Sequence, residues 1–184
     1  MKIIKLIILY ILKIRVDKMR IILIGFMGVG KTSVGRLLSK KLEFDFIDMD
    51  LEIEKSQKLS ISEIFNIYGE SYFRNLEKNL LKDLLKKDNL VISTGGGVVA
   101  SKENIEILKG EENVIFLDAR EETIIKNVSN NSNKRPLLEK DLESSIHKLL
   151  KYRYENYIKC CNYIVNVDFK NIEDIVKIIE SEVL

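Results

Sequence analysis

Residues 25–32, with the sequence GFMGVGKT, match the pattern G-x-x-x-x-G-K-[ST] of a phosphate-binding loop, or P-loop. The apolar run RIILI at residues 20–24 precedes it, and a helical pattern over residues 31–42 follows it. Glycines let backbone N–H groups surround a phosphate, and the N-terminus of the following helix adds a favourable field. The alternative, an ordinary glycine-rich turn, is disfavoured by this context. We therefore predict a phosphate site formed by Gly28, Val29, Gly30, Lys31, Thr32 and Ser33.

Outward from this loop, strands and helices are predicted to alternate along the chain. Strands are predicted at residues 20–24, 44–47, 90–93, 114–117 and 163–167. Helices are predicted at residues 31–42, 141–158 and 172–183, and one helix is predicted after each of the third and fourth strands. A short helix is predicted to begin at a capping box formed by Ser60 and Glu63 and to end near Gly69. The leucines of residues 76–85 share one face of a further predicted helix. Residues 127–134 are predicted to form a polar loop. This alternation predicts an α/β fold with a parallel sheet covered on both faces.

Length and composition restrict the class of protein further. The chain has 184 residues, and we predict one domain over residues 19–184. With 30 basic and 28 acidic side chains, the formal charge of +2 is too balanced for a dedicated nucleic-acid binder. The two adjacent cysteines, Cys160 and Cys161, offer neither a disulfide framework nor metal-ligand spacing, and the single histidine argues against zinc sites. We expect a monomer in the cytoplasm without nucleic-acid or membrane partners.

The first 18 residues differ from the rest of the chain. Their longest apolar run, residues 6–12, is far shorter than the roughly 20 residues that span a bilayer, and no signal-peptide cleavage site follows. We interpret residues 1–18 as a dispensable extension that precedes a domain start at Met19. An amphipathic helix at a membrane surface is the alternative interpretation.

Asp48 and Asp50 follow the second predicted strand. The carboxyl end of a strand is the edge where nucleotides bind in open α/β sheets, so one carboxylate could hold Mg²⁺ through water while the other takes a proton. The alternative is a helix N-cap beside a surface acid. Residues 114–118, VIFLD, also have the pattern of a strand that ends in a magnesium-binding aspartate, but the Asp48–Asp50 pair is the better candidate.

Arginines and a glycine triplet complete the candidate site. Arg74 lies one helical turn before Glu77, which could hold its guanidinium group, although a surface salt bridge is the ordinary interpretation of such a pair. Residues 95–97 are all glycine, so a ligand could approach their amides closely, unless they form a plain flexible turn. Arg135 precedes the chain's only proline at the end of the polar loop, and Arg153 lies on the following helix.

Together these motifs resemble the shikimate kinase family, over about residues 19–180. The resemblance is carried, in the family's order, by Phe26-Met27-Gly28, Asp48-Met49-Asp50, Ile64-Phe65, Gly69-Glu70, Phe73-Arg74 with Glu77, the triplet Gly95-Gly96-Gly97, Arg135-Pro136-Leu137-Leu138, and Arg153 with Tyr157. It implies a five-stranded parallel sheet of the nucleoside monophosphate kinase type with a mobile lid. It further implies transfer of the ATP γ-phosphoryl group to the 3-hydroxyl of shikimate, in the pathway to chorismate and aromatic amino acids.

The resemblance also implies a role for each matching residue. Asp50 would bind the shikimate hydroxyls and act as the base, while Thr32 and Asp48 would hold Mg²⁺, Asp48 through water. Lys31 and Arg135 would act on the ATP phosphates. The shikimate carboxylate would be bound by the residues Arg74, Arg153, Gly96 and Gly97. Two guanidinium forks suit a planar carboxylate, and phosphoryl transfer relies mainly on positioning and charge.

Two positions depart from the family's pattern, and other activities stay open. The chain has Lys126 where the family usually has an arginine at the start of the lid, and the loop after Val165 lacks the common proline beside the nucleotide base. The nearest enzymatic alternative is another small-molecule P-loop kinase, for gluconate or a nucleoside monophosphate. The non-enzymatic alternative, a nucleotide-binding regulator, would be expected to lack Lys31 or the carboxylates.

Overall fold

The computed structural model describes the backbone of residues 19–131 and 139–183 and the side chains of residues 19–129 and 143–183. Within these residues five strands form one parallel sheet in the order β2-β3-β1-β4-β5. The strands are β1 (Arg20–Ile24), β2 (Asp45–Asp48), β3 (Leu90–Ser93), β4 (Val114–Asp118) and β5 (Tyr163–Asn166). The predicted α/β fold with a five-stranded parallel sheet is therefore confirmed.

Helices flank this sheet and connect its strands. They are α1 (Lys31–Leu42), α2 (Met49–Gln57), α3 (Ile61–Leu84), α4 (Lys102–Lys109), α5 (Glu121–Asn131), α6 (Glu139–Cys160) and α7 (Ile172–Glu182), with a short 3₁₀ turn at Val98–Ala100. Helix α1 packs beside α7, and α4 packs beside α6. No helix in the described part of the chain is long and apolar enough to cross a membrane.

The central strands are apolar on both faces, as strands of a covered parallel sheet must be. Residues 21–24 of β1, all of β3 and residues 114–117 of β4 are buried, and their side chains are almost all Ile, Leu, Val or Phe. Burying each such side chain contributes roughly 1.5–3 kcal/mol. The core therefore fixes the central strands, whose carboxyl ends then place the loops of the site at one edge of the sheet.

Two helices differ from the prediction. Helix α2 was not predicted, because only Met49 and Ile53 of its nine residues are buried and no longer apolar stripe marks it. The predicted helices before and after Gly69 are joined into α3 with a kink at that residue, whose φ of 79° lies in the left-handed region. The capping box predicted at Ser60 and Glu63 is present at the start of α3.

The predicted loop at residues 127–134 is wrong for its first part, because α5 continues through Asn131. Ile124 is buried and Val128 packs against the core, so α5 has an apolar face that the asparagine-rich sequence obscures. Asn127 has a specific contact as well, since its amide donates to the carbonyl oxygen of Gly28 over 2.8 Å. The rest of that loop, with Arg135, and the extension at residues 1–18 lie outside the described residues.

Candidate active site

The P-loop connects β1 to α1 with its N–H groups available for a ligand. Gly28 and Gly30 have φ values of 83° and 90°, which an L side chain rarely adopts. Gly30 is the N-cap of α1, and no side chain accepts a hydrogen bond from the first turn of the helix. Ser33, a predicted contact, lies exposed on this turn. Free N–H groups and the positive end of the helix dipole together favour an anion at this position.

Lys31 is held by the loop that it follows. Its ammonium group donates to the carbonyl oxygens of Gly25 and Phe26, each over 2.9 Å. The side chain is buried, and burial lowers the pKa of Lys31 to about 8, although the nearby carboxylates of Asp50 and Asp48 oppose this shift. A phosphate at the loop would favour the charged form of this lysine.

Thr32 and Asp48 contact each other across the sheet edge. The Thr32 hydroxyl donates to Oδ2 of Asp48 over 2.6 Å. The other carboxylate oxygen, Oδ1, accepts from the backbone N–H groups of Asp50 and Leu51 over 3.1 and 3.3 Å. Asp48 is thus the N-cap of α2, as the alternative interpretation of the sequence had it, and a partner of the P-loop as well.

Asp50 lies in the first turn of α2, partly buried. Burial and the adjacent charge of Asp48 raise the pKa of the Asp50 carboxyl, while Lys31 and Arg74 oppose the shift. A raised pKa makes a carboxylate a stronger base. The position therefore suits a group that accepts a proton from an alcohol.

The glycine triplet after β3 contacts three of the predicted site residues. A Cβ at Gly95 would lie 2.5 Å from Oδ1 of Asp50, and a Cβ at Gly97 would lie 2.7 Å from both terminal nitrogens of Arg74. The carbonyl oxygen of Gly96 accepts a hydrogen bond from Nη1 of Arg153 over 3.2 Å. A side chain at Gly95 or Gly97 would therefore displace a charged group from its present position, whereas glycine permits this close approach.

Arg74 is paired on two sides along α3. Its Nη1 donates to Oε2 of Glu77 over 2.9 Å, and its Nε and Nη2 donate to Oε1 of Glu70 over 3.2 and 3.1 Å. The predicted contact with Glu77 is confirmed, but Glu77 is only 1% exposed, so the pair is no surface salt bridge. Burial raises the pKa of Glu77 to about 7, against the opposing charge of Arg74.

Helix α6 brings Arg153 and Tyr157 to the same place. The Tyr157 hydroxyl donates to the carbonyl oxygen of Gly96 over 2.5 Å, and the ring is fully buried. The Arg153 guanidinium lies over the ring of Phe26, 5.9 Å from its centroid. The sequence analysis gave Tyr157 no role, and the structure shows that its hydroxyl holds the glycine turn through Gly96.

A cleft of about 640 Å³ lies beside the P-loop and next to the loop after Val165, where the sequence analysis expected the nucleotide base. Gly28 and Gly30 line it together with Lys126 and Phe169. Phe169 follows β5 with a φ of 59° and is 92% exposed, and the Arg120 guanidinium lies 5.7 Å from its ring centroid. An aromatic ring so exposed beside a phosphate loop offers a face on which a planar base can stack.

Asp168 holds the loop that presents Phe169. It is 4% exposed and accepts from the backbone N–H of Arg120 over 3.2 Å and from the Thr123 hydroxyl over 2.6 Å. The Asn166 amide donates to it over 3.0 Å. The sequence analysis expected the nucleotide base beside this loop, but it gave no sign of the role of Asp168.

Other candidates of the sequence analysis lie in ordinary surroundings. Asp118 accepts a bond of 3.4 Å from the Tyr154 hydroxyl, while the P-loop threonine pairs with Asp48 instead. His147 is exposed and pairs with Glu121. Cys160 and Cys161 are free thiols, and burial raises the pKa of Cys160 to about 12, so this thiol is unreactive at neutral pH.

The fold and this site define a class, the P-loop kinases of the nucleoside monophosphate kinase type. A family model for shikimate kinase matches residues 27–183. A shikimate kinase from Clostridium botulinum (strain Alaska E43 / Type E3) is 45% identical over 165 residues, which cover 88% of this chain and 98% of that relative. The chain belongs to the shikimate kinase family, as the sequence analysis expected.

Solved structures of the same family are similar in fold. A shikimate kinase from Bacteroides thetaiotaomicron has a TM-score of 0.81 at 32% identity and covers 88% of this chain and 96% of its own. A shikimate kinase from Acinetobacter baumannii in complex with shikimate has a TM-score of 0.80 at 33% identity, with coverage of 90% and 95%. The predicted fold class is confirmed by these likenesses as well.

Proposed function

We propose that this chain transfers the γ-phosphoryl group of ATP to the 3-hydroxyl of shikimate, which yields shikimate 3-phosphate and ADP on the route to chorismate and aromatic amino acids. The observation that carries the proposal is the glycine turn at residues 95–97, which contacts Asp50, Arg74 and Arg153 at once. A carboxylate base and two guanidinium groups around a turn without side chains suit a small hydroxylated acid. The P-loop binds ATP, the phosphoryl donor, at the same sheet edge in this proposal.

The acceptor is bound through its carboxylate in this proposal. Arg74 and Arg153 reach the glycine turn from α3 and α6, two different helices. Arginine binds a carboxylate with two parallel N–H···O bonds, which fixes the orientation of the acid as well as its position. The backbone N–H groups of Gly96 and Gly97 are further donors to the acid in this proposal.

Asp50 is the proposed base. Its carboxylate lies against Gly95 and is raised in pKa by burial and by the charge of Asp48. It accepts the proton of the attacking hydroxyl as the bond to phosphorus forms, and proton transfer of this kind typically contributes 10²–10⁴-fold to a rate. The rest of the rate enhancement comes from positioning and charge at the P-loop.

The donor lies along the P-loop and the cleft beside it. Backbone N–H groups at residues 28–33 and the Lys31 ammonium bind the phosphates, and Arg135, outside the described residues, is proposed to act on them from the lid. The nucleoside occupies the cleft between the P-loop and Phe169. Phe169 offers an exposed aromatic ring for the nucleobase in this cleft, and the Arg120 guanidinium lies 5.7 Å from the centroid of that ring.

Mg²⁺ is the proposed metal, and the residues present fit it. Thr32 and Asp48 offer a hydroxyl and a carboxylate oxygen within 2.6 Å of each other. The described residues contain no cluster of three or more His, Cys, Asp or Glu that could hold a metal by itself. Few protein ligands combined with substrate phosphates and water are typical of Mg²⁺, which neutralises charge on the phosphates during transfer.

Shikimate and ATP are the small-molecule partners in this proposal. A monomeric state, a location in the cytoplasm and the absence of nucleic-acid or membrane partners stay predictions from the sequence. So does the division into a dispensable extension at residues 1–18 and a domain over residues 19–184.

The proposal is tested by ADP release in a coupled assay with ATP and one acceptor at a time. The acceptors are shikimate, gluconate, AMP and CMP, so the alternatives of the sequence analysis are measured beside the proposed substrate. We expect ADP release with shikimate alone. A rate with shikimate no higher than without acceptor contradicts the proposal, and release with gluconate or a nucleotide identifies the other kinase.

A further inference from the structure

Glu77 is a buried carboxyl group that interacts with both arginines of the proposed acceptor site. It lies 2.9 Å from Nη1 of Arg74, and its charge also interacts with that of Arg153. Its side chain is 1% exposed, so it does not exchange these partners for water. Any anion that binds to the two arginines therefore approaches a carboxyl group that has no solvent to screen it.

The hydrogen bonds around Glu77 are incomplete. Oε1 of Glu77 is buried and has no partner among the described residues, and the same holds for Oδ1 of Asn104 and Nε of Arg153. The Asn104 amide nitrogen donates to Oε2 of Glu77 and to the carbonyl oxygen of Val98, each over 3.2 Å. These two bonds fix the amide, so Oδ1 of Asn104 needs a donor that an ionised Glu77 cannot supply.

Charged groups on three helices act on Glu77, while its contact on α4, Asn104, is neutral. Arg74, on the same helix, and Arg153 on α6 favour the ionised form, while Asp50 on α2 disfavours it. The Tyr157 hydroxyl on α6 is neutral at physiological pH, since burial raises its pKa. Burial outweighs the arginines and raises the pKa of Glu77 to about 7, so its two forms are close in free energy near neutral pH.

We propose that Glu77 takes up one proton from solvent when the carboxylate of the acceptor binds to Arg74 and Arg153. The inference rests on the proposed function, because the acid that brings the carboxylate is shikimate. Before binding, Glu77 compensates the charge of the arginines. The acceptor's carboxylate then provides that compensation, and a second anion beside it becomes unfavourable in a buried site.

The sign of the resulting pH dependence follows from linkage. Well below pH 7 Glu77 carries the proton both with and without the acceptor, so binding takes up nothing. Above about pH 7 the free protein must gain a proton on binding, and the shikimate Kd rises with pH, by at most about tenfold per pH unit. The affinity for shikimate is therefore lost on the alkaline side.

The test is isothermal titration calorimetry of the full chain with shikimate at pH 8, in Hepes and in Tris. These buffers differ in ionisation enthalpy, so the difference in heat counts the protons taken up. We expect roughly 0.3–0.9 proton for the wild type and less than about 0.1 for Glu77→Gln, which mimics the protonated form. Between pH 7 and 8.5 the Kd of Glu77→Gln should change less than about twofold.

Glu70→Gln is the matched control, since Glu70 pairs with the same arginine but is exposed. We expect it to keep the proton uptake. Infrared difference spectra of the wild type provide a measurement that needs no variant, because shikimate should produce the C=O band of a protonated carboxylic acid.

Three results overturn the inference. The first is shikimate binding by the wild type without proton uptake, and the second is a proton uptake that persists in Glu77→Gln. The third is a shikimate affinity of Glu77→Gln that is lower than that of the wild type by the same factor at every pH, as a purely structural role predicts. The absence of any shikimate binding by the wild type is a different result, because it overturns the proposed substrate itself.

Discussion

The hydroxyl group of Thr32 donates to Oδ2 of Asp48 over 2.6 Å, and the same carboxylate caps α2 through Oδ1. Thr32 lies in the first turn of α1, next to the P-loop, whereas Asp48 ends β2. One carboxylate therefore ties the phosphate loop to the helix that carries Asp50. This contact fixes the P-loop relative to the helix that carries Asp50, because Thr32 and Asp48 both lie in regular secondary structure.

Asp48→Asn separates the two roles of this carboxylate. Asparagine caps a helix as well as aspartate does, so the free energy of unfolding should change by less than about 1 kcal/mol. The charge proposed to hold Mg²⁺ is lost, and we expect the Mg²⁺ concentration for half-maximal activity to rise about 10–100-fold. Activity measured against Mg²⁺, with denaturant unfolding in parallel, checks both. A large loss of stability with an unchanged Mg²⁺ dependence would leave Asp48 as a cap only.

Asp50→Asn should remove nearly all turnover while ATP binding stays close to that of the wild type. Loss of a general base typically lowers a rate about 10²–10⁴-fold. Asp45→Asn is the matched control, since Asp45 is exposed at the opposite end of β2. Activity of Asp50→Asn within a few-fold of wild type would refute the role.

The pH profile of the wild type provides a second check on Asp50. The base must be ionised to accept a proton, so activity falls as the pH drops through the pKa of Asp50 in the protein. Because burial raises that pKa above its ordinary value, the acidic limb should lie at higher pH than an exposed aspartate would produce. Measurements of kcat/KM for shikimate against pH locate this limb.

Phe169→Ala tests the proposed binding site for the nucleobase of ATP. Stacking of a nucleobase on an aromatic ring is worth roughly 1–3 kcal/mol, so the KM for ATP should rise about 5–150-fold. Phe169 is 92% exposed, so stability should not change. Tyr152→Ala, at an aromatic that is 68% exposed on α6, is the control. An ATP KM that Phe169→Ala leaves unchanged would show that the nucleobase does not stack on Phe169.

Local sequence patterns were sufficient to predict an element where a single physical requirement determines the residues of that segment. Strand β1 and helix α1 occur at the predicted residues, because an apolar run and a P-loop each leave few alternatives. The prediction was wrong at residues 127–131, where Asn127 binds the P-loop carbonyl of Gly28 rather than water. A polar composition does not show whether a side chain has a partner elsewhere in the fold.

The sequence named the candidate site residues but not the contacts that the described ones make with one another. The contacts of Gly95, Gly96 and Gly97 with three charged side chains depend on the register of β2 against β3 and on the docking of α6. Phe169 could not be predicted, since nothing local marks its left-handed backbone or the contact of the neighbouring Asp168 with Arg120. Both features arise from tertiary contacts.

Deletion of residues 1–18, with translation starting at Met19, should leave an active kinase. The pairing of β1 begins at Arg20, which lies opposite Leu90 and also bridges Asp88 and Glu111. The first strand is thus anchored by residues within the described part of the chain. Activity and thermal unfolding of the truncated and full chains are compared, and aggregation or loss of activity would place the extension in the fold.

Arg74→Lys separates geometry from charge at the acceptor site. Lysine keeps the positive charge beside Glu77 but is a point donor on a flexible stem, so the two parallel bonds to a carboxylate are lost. A hydrogen bond to a charged group is worth roughly 1.5–3 kcal/mol, and the shikimate KM should therefore rise about 10–150-fold. The ATP KM should change little, because Arg74 lies at the glycine turn rather than at the phosphate loop.

Arg36→Lys provides a matched control for this variant. Arg36 is also an arginine over an aromatic ring, 5.3 Å from the centroid of Phe46, as Arg74 lies 5.2 Å from that of Phe73. Both substitutions therefore replace a guanidinium over an aromatic ring by an ammonium group, but only Arg74→Lys changes a donor of the proposed acceptor site. Steady-state kinetics with each substrate varied in turn gives the KM values for shikimate and for ATP in both variants. A shikimate KM that rises equally in both variants, or in neither, would exclude Arg74 from carboxylate binding.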